Sequence, residues 1–104
     1  MNIFRREVAL ADLADHAFYL AQDDPDLADR FLDAFEQAAE RLSQMPYIGV
    51  AYTLHNPTLF GLRRWPIKGF EKFLIFYLVF DDAVDIIRIL HTSRDLERLL
   101  FENV

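Results

Sequence analysis

The chain contains no cysteine, only three glycines and no long apolar run. The absence of cysteine excludes disulfides, thiolate zinc sites and cysteine nucleophiles. So few glycines leave no glycine-rich loop that could cradle phosphates, so we expect no nucleotide cofactor. No apolar run approaches the roughly 18 residues of a membrane helix, and the N-terminus lacks a secretory pattern. We therefore expect a cytoplasmic protein without cofactors and without membrane contacts.

What the chain has in abundance is apolar and aromatic side chains. Of its 104 residues, 53% are hydrophobic and 14% are aromatic. A chain of this length and composition can bury about two thirds of its unfolded surface in one core. No linker, repeat or low-complexity segment interrupts it, so we predict a single domain over residues 1–104.

The net charge of −6 is unevenly distributed. Residues 1–48 hold four arginines against ten acidic residues, whereas residues 49–104 are balanced. Within the second half, Arg63, Arg64, Lys68 and Lys72 outnumber Glu71 and form a local basic patch. Because phosphate contacts need clustered cations, the acidic first half argues against direct nucleic-acid binding. The basic patch could still meet an acidic partner.

The apolar periodicity of the first half predicts two helices after a short strand at residues 2–5. The first helix spans residues 9–21. In the second, Asp24 is a candidate N-cap and Pro25 suits the first turn. Its apolar stripe continues to Met45, and the helix ends before Pro46.

The second half predicts strands at residues 59–67, 73–80 and 84–91, after a loop at residues 50–57, with a short helical tail at residues 94–101. The fold class is therefore α+β, in the order β-α-α-β-β-β, with a helical hairpin on one face of a small antiparallel sheet. The strand at residues 73–80 is apolar on both faces. Either both faces are covered, or a partner chain covers the second; a partner is the explanation preferred here.

Several short segments occur along the chain in a fixed order. They are Ala11-Asp12-Leu13, Ala28-Asp29-Arg30-Phe31-Leu32, Leu42-Ser43-Gln44-Met45-Pro46-Tyr47-Ile48-Gly49, Gly61-Leu62-Arg63, Phe76-Tyr77 and Ile89-Leu90-His91-Thr92-Ser93-Arg94-Asp95-Leu96. Their order and spacing resemble the RelE/ParE superfamily of type II toxins. The last segment is similar to the ParE branch, whose members are also called plasmid stabilisation proteins.

The resemblance implies a toxin neutralised by an antitoxin that is encoded beside it. RelE-like members cut messenger RNA on the ribosome, and ParE-like members inhibit DNA gyrase. In the RNA-cutting branch an arginine lies early in the strand that matches residues 73–80, and a tyrosine or histidine lies near the C-terminus. The corresponding positions here, near Leu74 and Leu99, are apolar. The resemblance therefore favours a gyrase inhibitor, with a ribosome-dependent endoribonuclease or a non-toxic partner-binding relative as alternatives.

The residues predicted to contact the target are cationic or lie beside cations. They are Arg94, Arg88, His91, Arg63, Arg64, Trp65 and Lys68. Alternatives remain for three of them. His91 could act in catalysis with Arg94, or be a strand-end histidine bonded to backbone; Arg88 could pair with a carboxylate; and Trp65 could pack into the sheet.

The partner implied by the resemblance is a ParD-like antitoxin, of ribbon-helix-helix type, or another DNA-binding antitoxin. Such a protein would hold the toxin by groove packing and strand addition. The predicted contacts are Phe31, Phe35, Phe76 and Leu78. His16 and His55 lie far from other ligands at metal spacing, so we expect no metal site.

Overall fold

The computed structural model describes residues 1–53 and 57–102, and in these ranges it contains five strands and three helices. The predicted α+β class is confirmed. The elements in chain order are β1 (Asn2–Arg5), α1 (Glu7–Asp23), α2 (Pro25–Gln44), β2 (Val50–Ala51), β3 (Arg63–Ile67), β4 (Phe70–Phe80), β5 (Ala83–His91) and α3 (Leu96–Glu102).

The strands form one sheet in the order β1-β5-β4-β3-β2. Strands β2 to β5 pair antiparallel, and the turn at Asp81 and Asp82 joins β4 to β5. One pairing differs from the antiparallel sheet predicted, because β1 runs parallel to β5, from Asn2 opposite Ala83 to Arg5 opposite Ile86. A four-residue strand carries no sequence pattern that distinguishes the two kinds of pairing.

The helical hairpin forms as predicted. The Asp24 carboxylate accepts a hydrogen bond from the backbone N–H of Asp26 at 3.0 Å, and Pro25 opens α2. The buried face of α2 consists of Ala28, Phe31, Phe35, Ala38, Ala39 and Leu42. In α1 the buried face is narrower than predicted, since Leu10 and Ala14 face outward. No helix within residues 1–53 and 57–102 is long and apolar enough to cross a membrane.

Both faces of β4 are covered by this chain itself. Phe73, Ile75 and Tyr77 pack against the helical hairpin. On the opposite face, Leu74, Phe76 and Leu78 pack against side chains that precede β3 and against α3, namely Leu59, Leu62, Leu99 and Leu100. Of the two explanations for the apolar second face, cover by the chain itself is therefore right and the preferred one, a partner chain, is wrong, because α3 and the segment before β3 supply the cover.

Several predicted boundaries change: β4 begins at Phe70 rather than at residue 73, and α1 extends two residues further at each end than predicted. Leu59 belongs to a short helical turn, Pro57–Leu59, and strand β3 begins only at Arg63. The predicted loop at residues 50–57 contains the two-residue edge strand β2. His55, which falls in that loop, lies outside the described residues.

A β-bulge in β5 breaks the predicted alternation of its side chains. Phe76 lies opposite Arg88, but the next residue of β4, Tyr77, lies opposite Ile86, so Ile87 is an inserted residue. Bulges re-aim the side chains around them. As a result Ile87 packs on the α3 side of the sheet, whereas Ile89, two residues further along, packs on the side of the helical hairpin.

The turn after α2 is held by one buried phenol. The Tyr77 hydroxyl donates to the carbonyl oxygen of Pro46 at 2.8 Å and accepts from the N–H of Gly49 at 2.9 Å. A Cβ at position 49 would overlap this hydroxyl, which explains the glycine. Burial raises the pKa of Tyr77, against the lowering influence of the Gly49 N–H and of Arg63. The phenol therefore stays protonated and fixes the chain between α2 and β2.

Tyr77→Phe is expected to lower the free energy of unfolding by about 1–3 kcal/mol, because it leaves a buried N–H and a carbonyl of the turn without partners. Urea unfolding measures this loss. Tyr47→Phe is the matched control, since Tyr47 is exposed and its hydroxyl should contribute less than about 0.5 kcal/mol. Equal stability of the two variants would contradict this role for Tyr77.

Candidate functional site

A cleft of about 440 Å³ lies between α1 and the C-terminal part of the chain. We call it the C-terminal cleft. Helix α1 supplies Asp12, Asp15, His16 and Tyr19, the strands supply Phe73, Arg88, Leu90 and His91, and the segment after β5 supplies Ser93, Arg94 and Leu99. Three predicted target-contact residues, Arg88, His91 and Arg94, thus meet in one place.

The floor of the cleft is a buried ion pair between α1 and β5. The Arg88 guanidinium donates Nε to Asp12 Oδ2 at 2.7 Å and Nη2 to Asp12 Oδ1 at 2.8 Å. Asp12 Oδ2 also accepts the backbone N–H of Ile89 at 3.0 Å, and Arg88 Nη1 donates to the carbonyl of Leu99 at 3.2 Å. The pairing alternative is confirmed for Arg88, whose guanidinium joins α1, β5 and α3. The Arg88 guanidinium therefore stabilises the fold and is largely buried.

One wall of the cleft is a row of rings. Phe73 lies between His16 and His91, with ring centroids 4.9 Å away on each side, in edge-to-face arrangements. His16 Nε2 lies 2.7 Å from the carbonyl oxygen of Ile89, so this nitrogen must carry a proton. Because the ring is packed and hydrogen-bonded, His16 helps to fix α1 against β5.

His91 closes a tight turn at the end of β5. Its Nδ1 accepts the backbone N–H of Ser93 at 3.0 Å and lies 2.7 Å from the Ser93 hydroxyl. Nδ1 is therefore an acceptor, and the ring proton lies on Nε2. This confirms the prediction of a strand-end histidine bonded to backbone. Among the described residues, no carboxylate contacts the ring to orient it, as a catalytic serine–histidine pair would need.

Arg94 is the cation that this cleft leaves available. Its side chain is exposed, and its guanidinium forms no ion pair with any residue of the ranges 1–53 and 57–102. Its backbone N–H donates to the carbonyl of His91 at 3.1 Å, which holds the residue at the mouth. Asp15 lines the same cleft. The arrangement suits recognition of a charged surface, because a fixed backbone presents an uncommitted guanidinium beside aromatic walls.

The predicted basic patch is divided by the fold. Arg63 donates Nη1 to the carbonyl of Gly49 at 2.7 Å and stabilises the turn after α2. Arg64 lies over the Tyr52 ring, 5.6 Å from its centroid. Trp65 and Lys68 line a different depression, between α2 and the β3–β4 hairpin. Neither Trp65 nor the three cations line the C-terminal cleft.

The four residues predicted to contact the antitoxin are all interior. Phe31 and Phe35 lie in the core between the helical hairpin and the sheet, and Phe76 and Leu78 lie under α3 and the segment before β3. A partner can reach Phe76 or Leu78 only if this cover moves away. Contact of the antitoxin with these four residues stays a prediction, and for Phe76 and Leu78 it requires that the covering segments move.

Sequence reasoning missed the contribution of α1. Asp12 lies among apolar residues on the buried face of the helix, and a carboxylate in that position signals a buried cationic partner. No such signal identifies Asp15 or Tyr19, which reach the cleft only through the packing of α1 on β5. Among the described residues no group of three or more His, Asp or Glu side chains could hold a metal ion.

The comparisons with known proteins agree with this fold. The sequence profile of the ParE toxin of the type II toxin-antitoxin system, parDE, matches residues 3–96. A solved structure described as a chromosomal ParDE toxin-antitoxin system from P. aeruginosa is similar, with a TM-score of 0.69 and 21% identity, over 88% of this chain and 95% of that one. A sequence comparison with characterised proteins finds no significant match. The chain therefore belongs to the ParE toxin family of type II toxin-antitoxin systems.

Proposed function

We propose that this ParE-type toxin inhibits DNA gyrase by binding it through the mouth of the C-terminal cleft, and that an antitoxin encoded beside it neutralises it. The observation that carries the proposal is the uncommitted guanidinium of Arg94. The other basic side chains that line the cleft have partners within the fold: Arg88 with Asp12, His16 with a backbone carbonyl, and His91 with Ser93. Among the described residues of the lining, Arg94 is therefore the cation that remains available for docking.

The endoribonuclease alternative has weaker support. RNA cleavage at a 2′-hydroxyl requires a group to move protons and cations to stabilise the phosphate. His91 uses Nδ1 within its own turn, and Arg88 is neutralised by Asp12. The alternative would rest on His91 Nε2 and Arg94 alone.

Two exposed sheet edges support binding by an antitoxin. Strands β1 and β2 lie at the two ends of the sheet, and an edge strand offers unpaired backbone groups to an added strand. A ParD-like or other DNA-binding antitoxin could use either edge. Because gyrase acts on chromosomal DNA, the proposed site of action is the cytoplasm.

Inducible expression in a bacterial host tests the proposal. We expect growth arrest with induction of the DNA-damage response, and relief when the adjacent reading frame is co-expressed. His91→Ala should weaken this activity without abolishing it, since in a docking mechanism His91 performs no chemistry but closes the turn that positions Arg94. Arrest without DNA damage, accompanied by ribosome-dependent mRNA cleavage that His91→Ala abolishes, would establish the endoribonuclease instead.

A further inference from the structure

A second depression, of about 500 Å³, lies between α2 and the β3–β4 hairpin. We call it the Trp65 groove. It is lined by Ala34, Gln37, Ala38, Arg41, Trp65, Pro66, Lys68 and Glu71, and shares no residue with the C-terminal cleft. Its volume lies within the roughly 300–1,000 Å³ of typical ligand clefts.

The groove exists because α2 carries small side chains where it passes the hairpin. Ala34 and Ala38 lie one turn apart on α2 and form the floor. Trp65 packs one part of its ring against the core and leaves the rest in the groove, since it is half-buried. Its indole N–H has no hydrogen-bond partner among the described residues, so it is free to donate. An apolar side chain could therefore fill the groove beside a free donor.

The charged lining of the groove has two cations, Arg41 and Lys68, and one carboxylate, Glu71. Neither Arg41 nor Lys68 forms an ion pair within residues 1–53 and 57–102. The one carboxylate of the lining, Glu71, accepts the backbone N–H of Gly69 at 2.7 Å. The two cations of the lining are therefore available to an acidic partner. A ligand that matches this lining would carry a carboxylate next to a large apolar side chain.

We infer that the Trp65 groove binds a segment of the antitoxin in which a large apolar side chain is flanked by Asp or Glu. The apolar anchor would lie on Ala34 and Ala38 against the Trp65 ring, and the carboxylates would pair with Arg41 and Lys68. Tryptophan and arginine are the residues that most often dominate binding energy at such interfaces. This inference rests on the proposed neutralisation by an antitoxin and assigns it a surface separate from the toxic one.

A peptide fits the groove better than a nucleic acid does. A single strand would need a continuous basic path along its phosphates. The lining holds only two cations, Arg41 and Lys68, together with the Glu71 carboxylate, and offers no such path. A short acidic segment needs only the two cations of the lining.

The test measures binding of the purified product of the adjacent reading frame by isothermal titration calorimetry. Two toxin variants alter the groove in different ways: Arg41→Glu with Lys68→Glu reverses its charge, and Ala34→Gln fills its floor. Both are expected to weaken binding at least tenfold. Arg30→Glu, a single charge reversal at an exposed position of α2, should stay within twofold of the parent.

The failures are distinguishable. If the parent toxin neither arrests growth nor binds the adjacent product, the proposed function fails and this inference with it. If the parent binds but both folded groove variants bind within twofold, the inference alone is overturned. Binding of a 12-nucleotide single strand that the charge-reversed variant loses, with antitoxin binding intact, would also overturn it.

Discussion

Asp12→Ala is expected to lower the free energy of unfolding by about 3–5 kcal/mol, which is the usual cost of leaving one partner of a buried ion pair uncompensated. The Arg88 guanidinium would lose two short hydrogen bonds, and the N–H of Ile89 would lose its acceptor. The cost lies in the buried range because the side chains of Asp12 and Arg88 are only 11% and 8% exposed. Urea or thermal unfolding of the purified variant measures the loss.

The matched control is the exposed pair between Arg5 and Glu36, whose side chains are 32% and 60% exposed. Glu36→Ala should cost less than about 1 kcal/mol, since surface ion pairs contribute little. The double variant Asp12→Leu with Arg88→Met should recover much of the stability lost in Asp12→Ala, because it removes both charges together. If Asp12→Ala costs no more than Glu36→Ala, the ion pair does not organise the cleft.

Arg94→Glu is expected to weaken gyrase inhibition roughly 30-fold or more, which corresponds to the loss of about 2 kcal/mol or more that marks an arginine hot spot in an interface. The substitution places a negative charge beside Asp15 at the mouth of the cleft and repels whatever acidic surface the guanidinium meets. The fold should be unaffected, because the side chain is exposed and makes no ion pair among the described residues. Supercoiling assays over a range of toxin concentrations measure the change.

Two variants control for this effect. Arg94→Lys keeps the charge but loses the planar fork of donors, so it should retain intermediate activity. Arg30→Glu makes the same charge change on α2 and should leave inhibition within twofold of the parent. Antitoxin binding by Arg94→Glu should also stay within twofold. Full inhibition by the reversed variant would exclude Arg94 as a target contact.

The fold was predictable from local patterns, and its departures have local causes. The cap at Asp24, the apolar stripe of α2 and the two long strands are all predicted by the spacing of apolar residues and by the residue types at the turns. The parallel pairing of β1 was not predictable, because the sequence of a four-residue strand does not distinguish parallel from antiparallel pairing. The bulge at Ile87 was not predictable either, because a strand that is apolar at most positions has the same sequence pattern with or without an inserted residue.

The site was predictable only in part, for a different reason. The segment from His91 to Arg94 was identified because its polar residues follow a buried strand. Arg88 belongs to the same strand, yet its role depends on Asp12, which lies 76 residues away along the chain. The basic patch was identified by composition, but the strand geometry sends Arg63, Arg64 and Trp65 to three different surroundings. Contacts between residues far apart in the chain depend on how the elements pack, and a single sequence does not predict that packing.

Inhibition of purified DNA gyrase tests the central claim most directly. The parent protein, added to gyrase with relaxed plasmid and ATP, should block supercoiling and trap cleaved DNA, and the antitoxin added first should prevent both effects. Arg94→Glu should fail in the same assay, whereas His91→Ala should still inhibit gyrase at higher toxin concentrations. Full gyrase activity at toxin concentrations that arrest growth, together with mRNA cleavage on isolated ribosomes, would contradict the account.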